Sequence, residues 1–439
     1  MIRVVGIFEE DLPSMRLARD PITNLQGFHA GIAQRLVLDE AGPVVHLGLG
    51  GRAGWAPEAG IRALAGLSGL QVNATACDTT GLVDALRLVT DEGTARELVD
   101  TGLALALPCD DPATTPGATI ATAVNRAREW TNADSATLNP AAFVALAQGI
   151  AEQHGLDFAV VTGDDLREQG FGAIHGMGAG SPHAAALIDL RYRPASPREH
   201  ITLVGKGVTF DTGGLSIKGS AAMAGMRQDK CGAATVLAVM SVLRDLGVDV
   251  AVRALLPVIE NMIGPDSLRP GDVVTAWNGT RIHVMDTDFE GRVILADALA
   301  YASADRPDLV IDVATLTYQV VTALGPAIGG LFARDDAAAE AIAAAGQRAG
   351  EPFWRLPYDE RYLDQVLVPD GVKNHPETDS GRAITAALFL GQFVPDDIPW
   401  AHLDISGPAW TGPASACGAT GFGVRTLLSL LRSRPMQTS

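Results

Sequence analysis

The sequence is poor in the residues that mark several classes of protein. Its 439 residues include only 5% aromatic side chains and four cysteines. Cys77, Cys109, Cys231 and Cys417 stand far apart and form no CxxC pair, which argues against a disulfide framework and against a thiolate zinc site. None of the nine histidines belongs to an HExxH motif or to another ligand pair. A histidine-based zinc site is therefore not expected either.

Basic charge and long apolar runs are also scarce. The chain has 33 basic and 51 acidic residues and a formal charge of −18, which would repel nucleic acid phosphates and an anionic membrane surface. No apolar run approaches the length of a membrane span, and Glu9, Glu10 and Asp11 stand where a signal peptide would need basic and then apolar residues. We therefore expect a cytoplasmic protein that binds neither membranes nor nucleic acid.

The sequence does have many glycines and aliphatic residues in alternating elements. With 48 glycines and 47% hydrophobic residues, the composition favours an α/β enzyme. The length predicts two domains. We assign residues 1–130 to a small N-terminal α/β domain that ends in a linker helix at 121–130. A strand at 44–49, a helix at 82–98 and a strand at 103–107 are expected within it.

Residues 131–439 are expected to form a larger domain with a mixed central β-sheet flanked by helices. Apolar runs predict strands at 201–204, 250–257, 281–285 and 309–313, and a helix at 293–302. A second helix at 233–246 would pack on the sheet through one apolar face. That face is formed by Val236, Val239, Met240, Leu243 and Leu246.

A glycine-rich segment at 203–218, LVGKGVTFDTGGLSIK, follows the first of these strands. It presents Lys206, Asp211 and Lys218, which in an ordinary loop would simply be solvated. A phosphate cradle is the other reading, but no GxxxxGK[ST] occurs and the GxG at 205–207 lacks the third glycine of a dinucleotide fingerprint.

Three further carboxylates follow at the ends of predicted elements. Asp229 directly precedes a helix, where it could serve as an N-terminal cap. Asp288 and Glu290 are two apart after a strand, where extended backbone would point both side chains the same way. If these carboxylates share a site with Asp211, their repulsion requires cations. We therefore expect two divalent metal ions, for which oxygen ligands and one nitrogen suit Mg, Mn, Zn or Co.

The motifs around these residues resemble the cytosolic leucine aminopeptidases. The resemblance is carried by VGKGVTFDTGGLSIK at 204–218, RQDKCGAATV at 227–236 and DTDFEGR at 286–292. It continues through 259–261, 269–272, 314–317, 383–387, 400–404 and 419–423 and covers residues 130 to 430 almost continuously. The N-terminal part matches only in general character.

The resemblance implies a role for each charged residue. One metal would be held by Lys206, Asp211, Asp229 and Glu290, and the other by Asp211, Asp288 and Glu290. Lys218 and Arg292 would be the catalytic pair, with a bicarbonate on the arginine as general base. Manganese or zinc is expected before magnesium or cobalt.

The activity that the resemblance implies is removal of the N-terminal residue from a peptide. A hydroxide bridging the metals would attack the first carbonyl, and the free amino group of a short peptide would bind one metal. The family assembles as a homohexamer and takes part in peptide catabolism. Two other hypotheses remain, namely a two-metal hydrolase of another amide or ester, and a non-catalytic DNA-binding or regulatory relative. The charge argues against DNA.

Two segments depart from the family pattern near the site. The usual NTDAEGR is DTDFEGR here, which introduces Asp286 and Phe289, and the usual ATLTGA reads ATLTYQ, which puts Tyr318 in place of a glycine of the side-chain pocket. We expect Tyr318 to reduce or reshape that pocket, so the preferred N-terminal side chain stays open. The residues that match the family's pocket are Met226, Thr315, Tyr318, Ser406 and Ala409.

Overall fold

The computed structural model describes residues 2–8, 34–39, 42–50, 77–78, 99, 116–411 and 418–433. The chain divides into two compact units, one comprising Met1–Asn125 and Gln347–Glu351 and the other Arg126–Gly346 and Pro352–Ser439. The helix predicted at 82–98 and the strand predicted at 103–107 lie outside the described residues. Of the helices that are described, none combines the length and the apolar character needed to cross a membrane.

The first unit contains a four-stranded sheet. Its strands are β1 (Ile2–Phe8), β2 (Gln34–Asp39), β3 (Gly42–Gly50) and β4 (Cys77–Asp78), in the order β2-β3-β1-β4. β1 pairs with β3 and β4 in parallel, whereas β2 pairs with β3 antiparallel. β3 confirms the strand predicted at 44–49.

Helices surround the central sheet of the second unit. The helices described are α1 (Pro116–Asn132), α2 (Pro140–His154), α3 (Asp164–Glu168), α4 (Gly172–Gly178), α5 (Ser220–Met223), α6 (Cys231–Met240), α7 (Glu290–Ala304), α8 (Tyr318–Leu324), α9 (Asp336–Ala349), α10 (Arg382–Gly391) and α11 (Val424–Arg432). Two 3₁₀ helices cover Met226–Lys230 and Glu360–Gln365. α1 confirms the linker helix, and α7 confirms the helix predicted at 293–302 but begins three residues earlier.

The central sheet is mixed and has nine strands. They are β5 (Asp157–Thr162), β6 (Ala186–Tyr192), β7 (His200–Gly205), β8 (Gly207–Asp211), β9 (Ala251–Asn261), β12 (Leu309–Ala314), β13 (Gly329–Ala333), β14 (Phe353–Arg355) and β17 (Trp400–Asp404). The order is β14-β13-β17-β12-β7-β9-β6-β5, and β8 also pairs with β9. A second sheet has four strands, which are β10 (Val273–Thr275), β11 (Arg281–His283), β15 (Leu367–Val368) and β16 (Gly371–Lys373). A third sheet has two strands, β18 (Trp410–Thr411) and β19 (Gly418–Ala419).

Parallel pairing in the middle of the sheet creates the edge on which the site is built. β9, β7, β12 and β17 run parallel to their neighbours in this series. Every residue of β12 is buried, as expected for a strand covered by helices on both faces. The predictions for 201–204, 250–257 and 309–313 are confirmed, whereas the strand predicted at 281–285 ends at His283. The carboxyl ends of the parallel strands meet at one edge, where ligands of α/β proteins bind.

The helix predicted at 233–246 packs on the central sheet as expected, but the predictions of its end and of a single apolar face were wrong. α6 ends at Met240, and all ten of its residues are buried, so it has no solvent-facing side. Leu243 is buried in the turns that follow the helix, and Leu246 is partly exposed. The reason is close packing, because a Cβ on Gly232 would lie 2.1 Å from the carbonyl oxygen of Val313. The segment has no charged side chain between Cys231 and Val242, so it can be buried on all sides.

Candidate active site

The five predicted metal ligands converge at the carboxyl edge of the central sheet. Lys206 is the single residue between β7 and β8, Asp211 ends β8, Asp229 lies in the first 3₁₀ helix, Asp288 lies in the turn before α7, and Glu290 is the first residue of α7. The side chains of all but Asp288 are buried. The extended geometry predicted for Asp288 and Glu290 was wrong, since a turn and a helix start bring them together, with a carboxylate oxygen from each and from Asp211 within 4.8 Å of one another.

Lys206 lies at the centre of one half of this cluster. Its Nζ is 2.7 Å from Asp229 Oδ1 and 2.8 Å from Glu290 Oε1, and it donates a hydrogen bond to the Thr315 carbonyl oxygen at 2.9 Å. Burial lowers the pKa of Lys206, but the facing carboxylates of Asp229, Glu290 and Asp211 outweigh burial and hold that pKa above its usual value. The loop position is set by the backbone, because Lys206 N donates to Val313 O and Lys206 O accepts from Ala233 N.

Gly291 allows this lysine to reach the carboxylates. A Cβ at Gly291 would lie 2.5 Å from Lys206 Cε and 2.6 Å from its Nζ. A larger residue in the first turn of α7 would therefore displace the lysine side chain. The glycine of the DTDFEGR motif thus has a packing function directly at the site.

Lys218 lies against the other half of the cluster. Its Nζ is 2.8 Å from Asp211 Oδ2 and also contacts Asp288 Oδ1. Burial lowers the pKa of Lys218, but Asp211 and Glu290 outweigh burial and raise it. Lys218 is therefore an ammonium ion across the neutral pH range.

The cluster has the properties of a cation site. Asp229 Oδ2 is buried without a hydrogen-bond partner, although burying an unpaired carboxylate oxygen is costly. Burial, followed by the charges of Asp211 and Glu290, raises the pKa of Asp288 to about 7. Carboxylate oxygens crowded in this way are the donors that hard divalent cations prefer. The residues present therefore fit a divalent metal group.

Two polar side chains hold these ligands in place, namely Asn261, which sequence reasoning missed, and Thr315, which it assigned to the substrate pocket. Asn261 Nδ2 donates to Asp211 Oδ1 at 2.8 Å and to the Thr287 carbonyl oxygen at 2.9 Å. Thr315 Oγ1 donates to Asp229 Oδ1 at 2.8 Å. Asn261 ends β9, so its place after an apolar strand was the signal that could have revealed it. Such supporting hydrogen bonds orient metal ligands and tune their affinity.

Arg292 occupies the first turn of α7 and is buried. Its Nη1 donates to the Asn374 carbonyl oxygen at 3.0 Å, whereas its Nε is buried without a partner. The guanidinium carbon lies 4.5 Å from the centre of the Phe289 ring. Burial lowers the pKa of Arg292 to about 10. It therefore remains a cation at neutral pH, and its buried Nε–H has no acceptor.

One cavity of about 330 Å³ connects these residues. Its walls include all five predicted metal ligands, Lys218 and Arg292, and four of the predicted pocket residues, namely Met226, Thr315, Tyr318 and Ser406. Ala409 is buried and is not among the residues that line the cavity. Tyr318 lines it but is 76% exposed, so most of its ring faces solvent.

The loop that carries Thr315 and Tyr318 is fixed by Asp404 at the end of β17. Asp404 Oδ2 accepts hydrogen bonds from Thr317 N at 3.0 Å and from Thr317 Oγ1 at 2.7 Å. Asp404 Oδ1 accepts from Ser406 Oγ at 2.6 Å. Thr317 in turn caps α8 by accepting from Val320 N. This network makes the wall of the cavity rigid, and sequence reasoning did not identify it.

Comparison with known proteins agrees with this geometry. The family described as "Cytosol aminopeptidase family, catalytic domain" matches residues 125–428. A probable cytosol aminopeptidase of Acaryochloris marina is 40% identical over 307 residues, which are 69% of this chain and 62% of that protein. One of Nostoc punctiforme is 40% identical over 346 residues, which are 77% of this chain and 69% of that protein. The match thus spans less than two thirds of the length of the first relative.

Solved structures match over almost the whole chain. The bottromycin maturation enzyme BotP in complex with Mn has a TM-score of 0.84 and 34% identity, over 98% of both chains. The cytosol aminopeptidase of Coxiella burnetii has a TM-score of 0.84 and 29% identity, over 98% of this chain and 96% of that one. From its motifs, its site and these similarities, the chain belongs to the cytosol aminopeptidase family.

Proposed function

We propose that this protein is a metal-dependent aminopeptidase that hydrolyses the N-terminal residue from short peptides. The observation that carries the proposal is that one cavity collects the seven charged residues that the reaction requires, which are Lys206, Asp211, Lys218, Asp229, Asp288, Glu290 and Arg292. Membership of the cytosol aminopeptidase family supports it.

We propose that the five ligands hold two divalent cations. Lys206, Asp211, Asp229 and Glu290 would hold one, and Asp211, Asp288 and Glu290 the other. When bound, such cations supply Lewis acidity and an activated water near neutral pH. Manganese is the first candidate because a structural neighbour is described in complex with Mn. Zinc follows, with magnesium and cobalt as further candidates. Lys206 has to lose its proton before its Nζ can donate a lone pair to a cation.

The remaining charged residues act on the substrate. We propose that the Lys218 ammonium, which touches Asp211 and Asp288, stabilises the negative charge that develops on the scissile carbonyl oxygen. Arg292, which lines the cavity and whose buried Nε has no acceptor, would hold a bicarbonate, and that group would supply a general base. Met226, Thr315, Tyr318 and Ser406 would contact the N-terminal side chain.

We further propose the setting in which this chemistry occurs. Residues 131–439 would be the catalytic domain after an N-terminal domain at 1–130, and the assembly would be a homohexamer. A cytoplasmic role in peptide catabolism is supported by the name cytosol aminopeptidase that the relatives carry. Light scattering of the purified protein tests the assembly, and a monomeric mass would refute it.

Restoring metals to stripped protein tests the proposed function. Aminoacyl p-nitroanilides with free amino groups should be cleaved after addition of Mn, Zn, Co or Mg, and not before. The Lys218→Ala variant should bind the metals and lose the cleavage. Equal activity of stripped and restored protein would exclude the metal mechanism, and no cleavage with any metal would exclude these substrates.

A further inference from the structure

The guanidinium groups of Arg292 and Arg382 line the cavity near Phe289. Neither forms an ion pair with a carboxylate among the proposed metal ligands. Arg382 lies with its guanidinium carbon 5.7 Å from the centre of the Phe289 ring, and Arg292 lies 4.5 Å from the same centre. The ring of His375 meets Phe289 edge to face at 4.6 Å. Among the described lining residues, the two lysines already contact carboxylates. The Phe289 side therefore carries two guanidinium groups that do not pair with the proposed metal ligands, with Asp286 3.9 Å from His375 as a nearby carboxylate.

Arg382 is held there without a buried acidic partner. Its Nη2 contacts Asp379, whose side chain is 92% exposed, and His375 Nε2 at 3.2 Å. Within the described part of the chain, Arg382 Nη1 makes no hydrogen bond. Because Asp379 is solvated, exchanging it for a ligand carboxylate costs little.

The helix end on which Arg382 lies disfavours a positive charge. Arg382 is the first residue of α10, where the positive end of the helix dipole repels a positive charge. Its side chain is 20% exposed, so it is not simply extended into solvent. The guanidinium carbon lies 5.7 Å from the centre of the Phe289 ring, and Nε donates to the Thr378 carbonyl oxygen at 3.4 Å. Among the described residues only Nη1 is without a hydrogen bond, so a planar anion would bind at Nη1 and would replace the solvated Asp379 at Nη2.

The position fits the residue that follows the scissile bond. Phe289 separates Asp288 from Glu290, so Arg382 stacks on the residue between two proposed metal ligands. Arg382 lines the same cavity as Asp288 and Glu290. Consecutive residues of a peptide are about 3.8 Å apart at their Cα atoms, so a substrate whose reacting carbonyl lies at these carboxylates would extend its next residue along the same cavity. The fork of an arginine binds a carboxylate through two hydrogen bonds.

We propose that Arg382 binds a carboxylate on the substrate residue that follows the scissile bond, which makes the protein selective for acidic leaving groups. This inference rests on the proposed aminopeptidase function. The carboxylate can be the C-terminus of a dipeptide or the side chain of an aspartate, and both present the same group to the guanidinium.

Three substrates and three variants test the inference. The substrates are Leu-Gly, its C-terminal amide, and Leu-Asp amide, all cleaved by the Mn-loaded enzyme. We expect kcat/KM to be about tenfold or more higher for Leu-Gly or Leu-Asp amide than for Leu-Gly amide, since a charge-assisted hydrogen bond contributes at this level. A preference for Leu-Gly would identify the C-terminal carboxylate as the bound group, and a preference for Leu-Asp amide would identify the aspartate side chain.

Arg382→Gln should abolish that preference by raising KM for the acidic substrate, with kcat unchanged and the amide unaffected. Arg382→Lys should restore part of it. Arg361→Gln is the matched control, because Arg361 pairs with Asp359 on the surface and does not line the cavity.

Three results would overturn the inference. The first is an equal wild-type kcat/KM on all three substrates. The second is an equal fall in kcat/KM on acidic and amide substrates in Arg382→Gln. The third is a fall in kcat/KM in Arg382→Gln that added bicarbonate reverses on all three substrates. If the wild type cleaves none of the three compounds, the proposed function fails instead.

Discussion

The two ends of the cavity differ in how firmly the structure fixes them. The inner end, formed by Lys206, Asp211, Asp229, Asp288 and Glu290, is largely buried and tied to strand ends, a 3₁₀ helix and α7. The mouth, formed by Phe289, Tyr318 and Arg382, is partly or largely exposed. Family motifs cover the inner end, whereas Phe289 and Tyr318 depart from them. The comparison indicates that packing fixes the residues proposed for the chemistry and does not fix those proposed for selectivity.

Replacing Lys218, whose ammonium group contacts Asp211 and Asp288 at the inner end, should lower the activity most. Lys218→Ala should lower kcat about 100- to 1000-fold, because one electrostatic group on the developing oxyanion typically contributes at this level. Steady-state kinetics with metal content measured in parallel provides the check. Lys373→Ala is the control, since Lys373 pairs with Glu377 and does not line the cavity. A loss that is explained entirely by lost metal would contradict the role given to Lys218.

Removing the hydrogen bonds that support the ligands of the inner end should reduce activity less. Asn261→Ala removes the hydrogen bonds to Asp211 and to Thr287 O, and we expect metal affinity or activity to fall about 10- to 100-fold. Metal titration of the stripped protein measures it. Asn278→Ala, at an exposed turn, should leave the affinity unchanged. Unaltered affinity in Asn261→Ala would show that packing alone holds Asp211.

The rigidity of α7 can be tested at Asp297. Its carboxylate accepts hydrogen bonds from Ala173 N, Ile174 N and Trp277 N. Asp297→Asn keeps one acceptor oxygen, so we expect a loss of about 1 to 3 kcal/mol in the free energy of unfolding. Urea unfolding monitored by circular dichroism measures this, and an unchanged curve would contradict the structural role.

The same residue predicts a pH dependence. Burial raises the pKa of Asp297 to about 7 against the opposing backbone hydrogen bonds. Between about pH 4 and pH 7 the unfolded chain releases a proton that the folded chain keeps, so this group makes stability fall as the pH rises. The stability difference between wild type and Asp297→Asn should therefore shrink from pH 4.5 to pH 7. A constant difference would place the pKa of Asp297 near its usual value.

Enlarging the mouth should have the smallest effect. Tyr318→Gly should raise relative kcat/KM for bulky N-terminal side chains severalfold, which is about 1 kcal/mol and the low end of what a pocket gains from one methylene. Tyr318→Phe should keep the wild-type profile. Because Tyr318 is 76% exposed, an unchanged profile across a panel of residues would mean that its ring turns away from bound substrate.

Sequence reasoning predicted the inner end better than the mouth for a physical reason. Strands such as 201–204 and 309–313 are apolar runs with turns on both sides, and burial from both faces makes that pattern visible. The charged residues of the site stand in motifs around the ends of these elements. The family resemblance therefore led to residues that the structure brings together in one cavity, even though the geometry assumed for Asp288 and Glu290 was wrong.

What could not be predicted depends on contacts between distant segments. α6 is buried on all sides because it packs against β7, β9 and β12 and also against α11, with Gly232 close to Val313, and no periodicity within the helix reveals these contacts. Arg382 was not predicted as a site residue, since only the fold brings it beside Phe289. Asp404 also fixes a distant loop, because its carboxylate accepts hydrogen bonds from the backbone N–H groups of Leu316 and Thr317, which lie 88 and 87 positions earlier in the sequence.

The most direct test of the central claim compares matched free and N-acetylated leucine p-nitroanilide with the Mn-loaded enzyme. An aminopeptidase that binds the substrate amine at the inner end should cleave the free compound and leave the acetylated one intact. Cleavage of both compounds at similar rates would contradict the account and indicate a two-metal hydrolase of other amides.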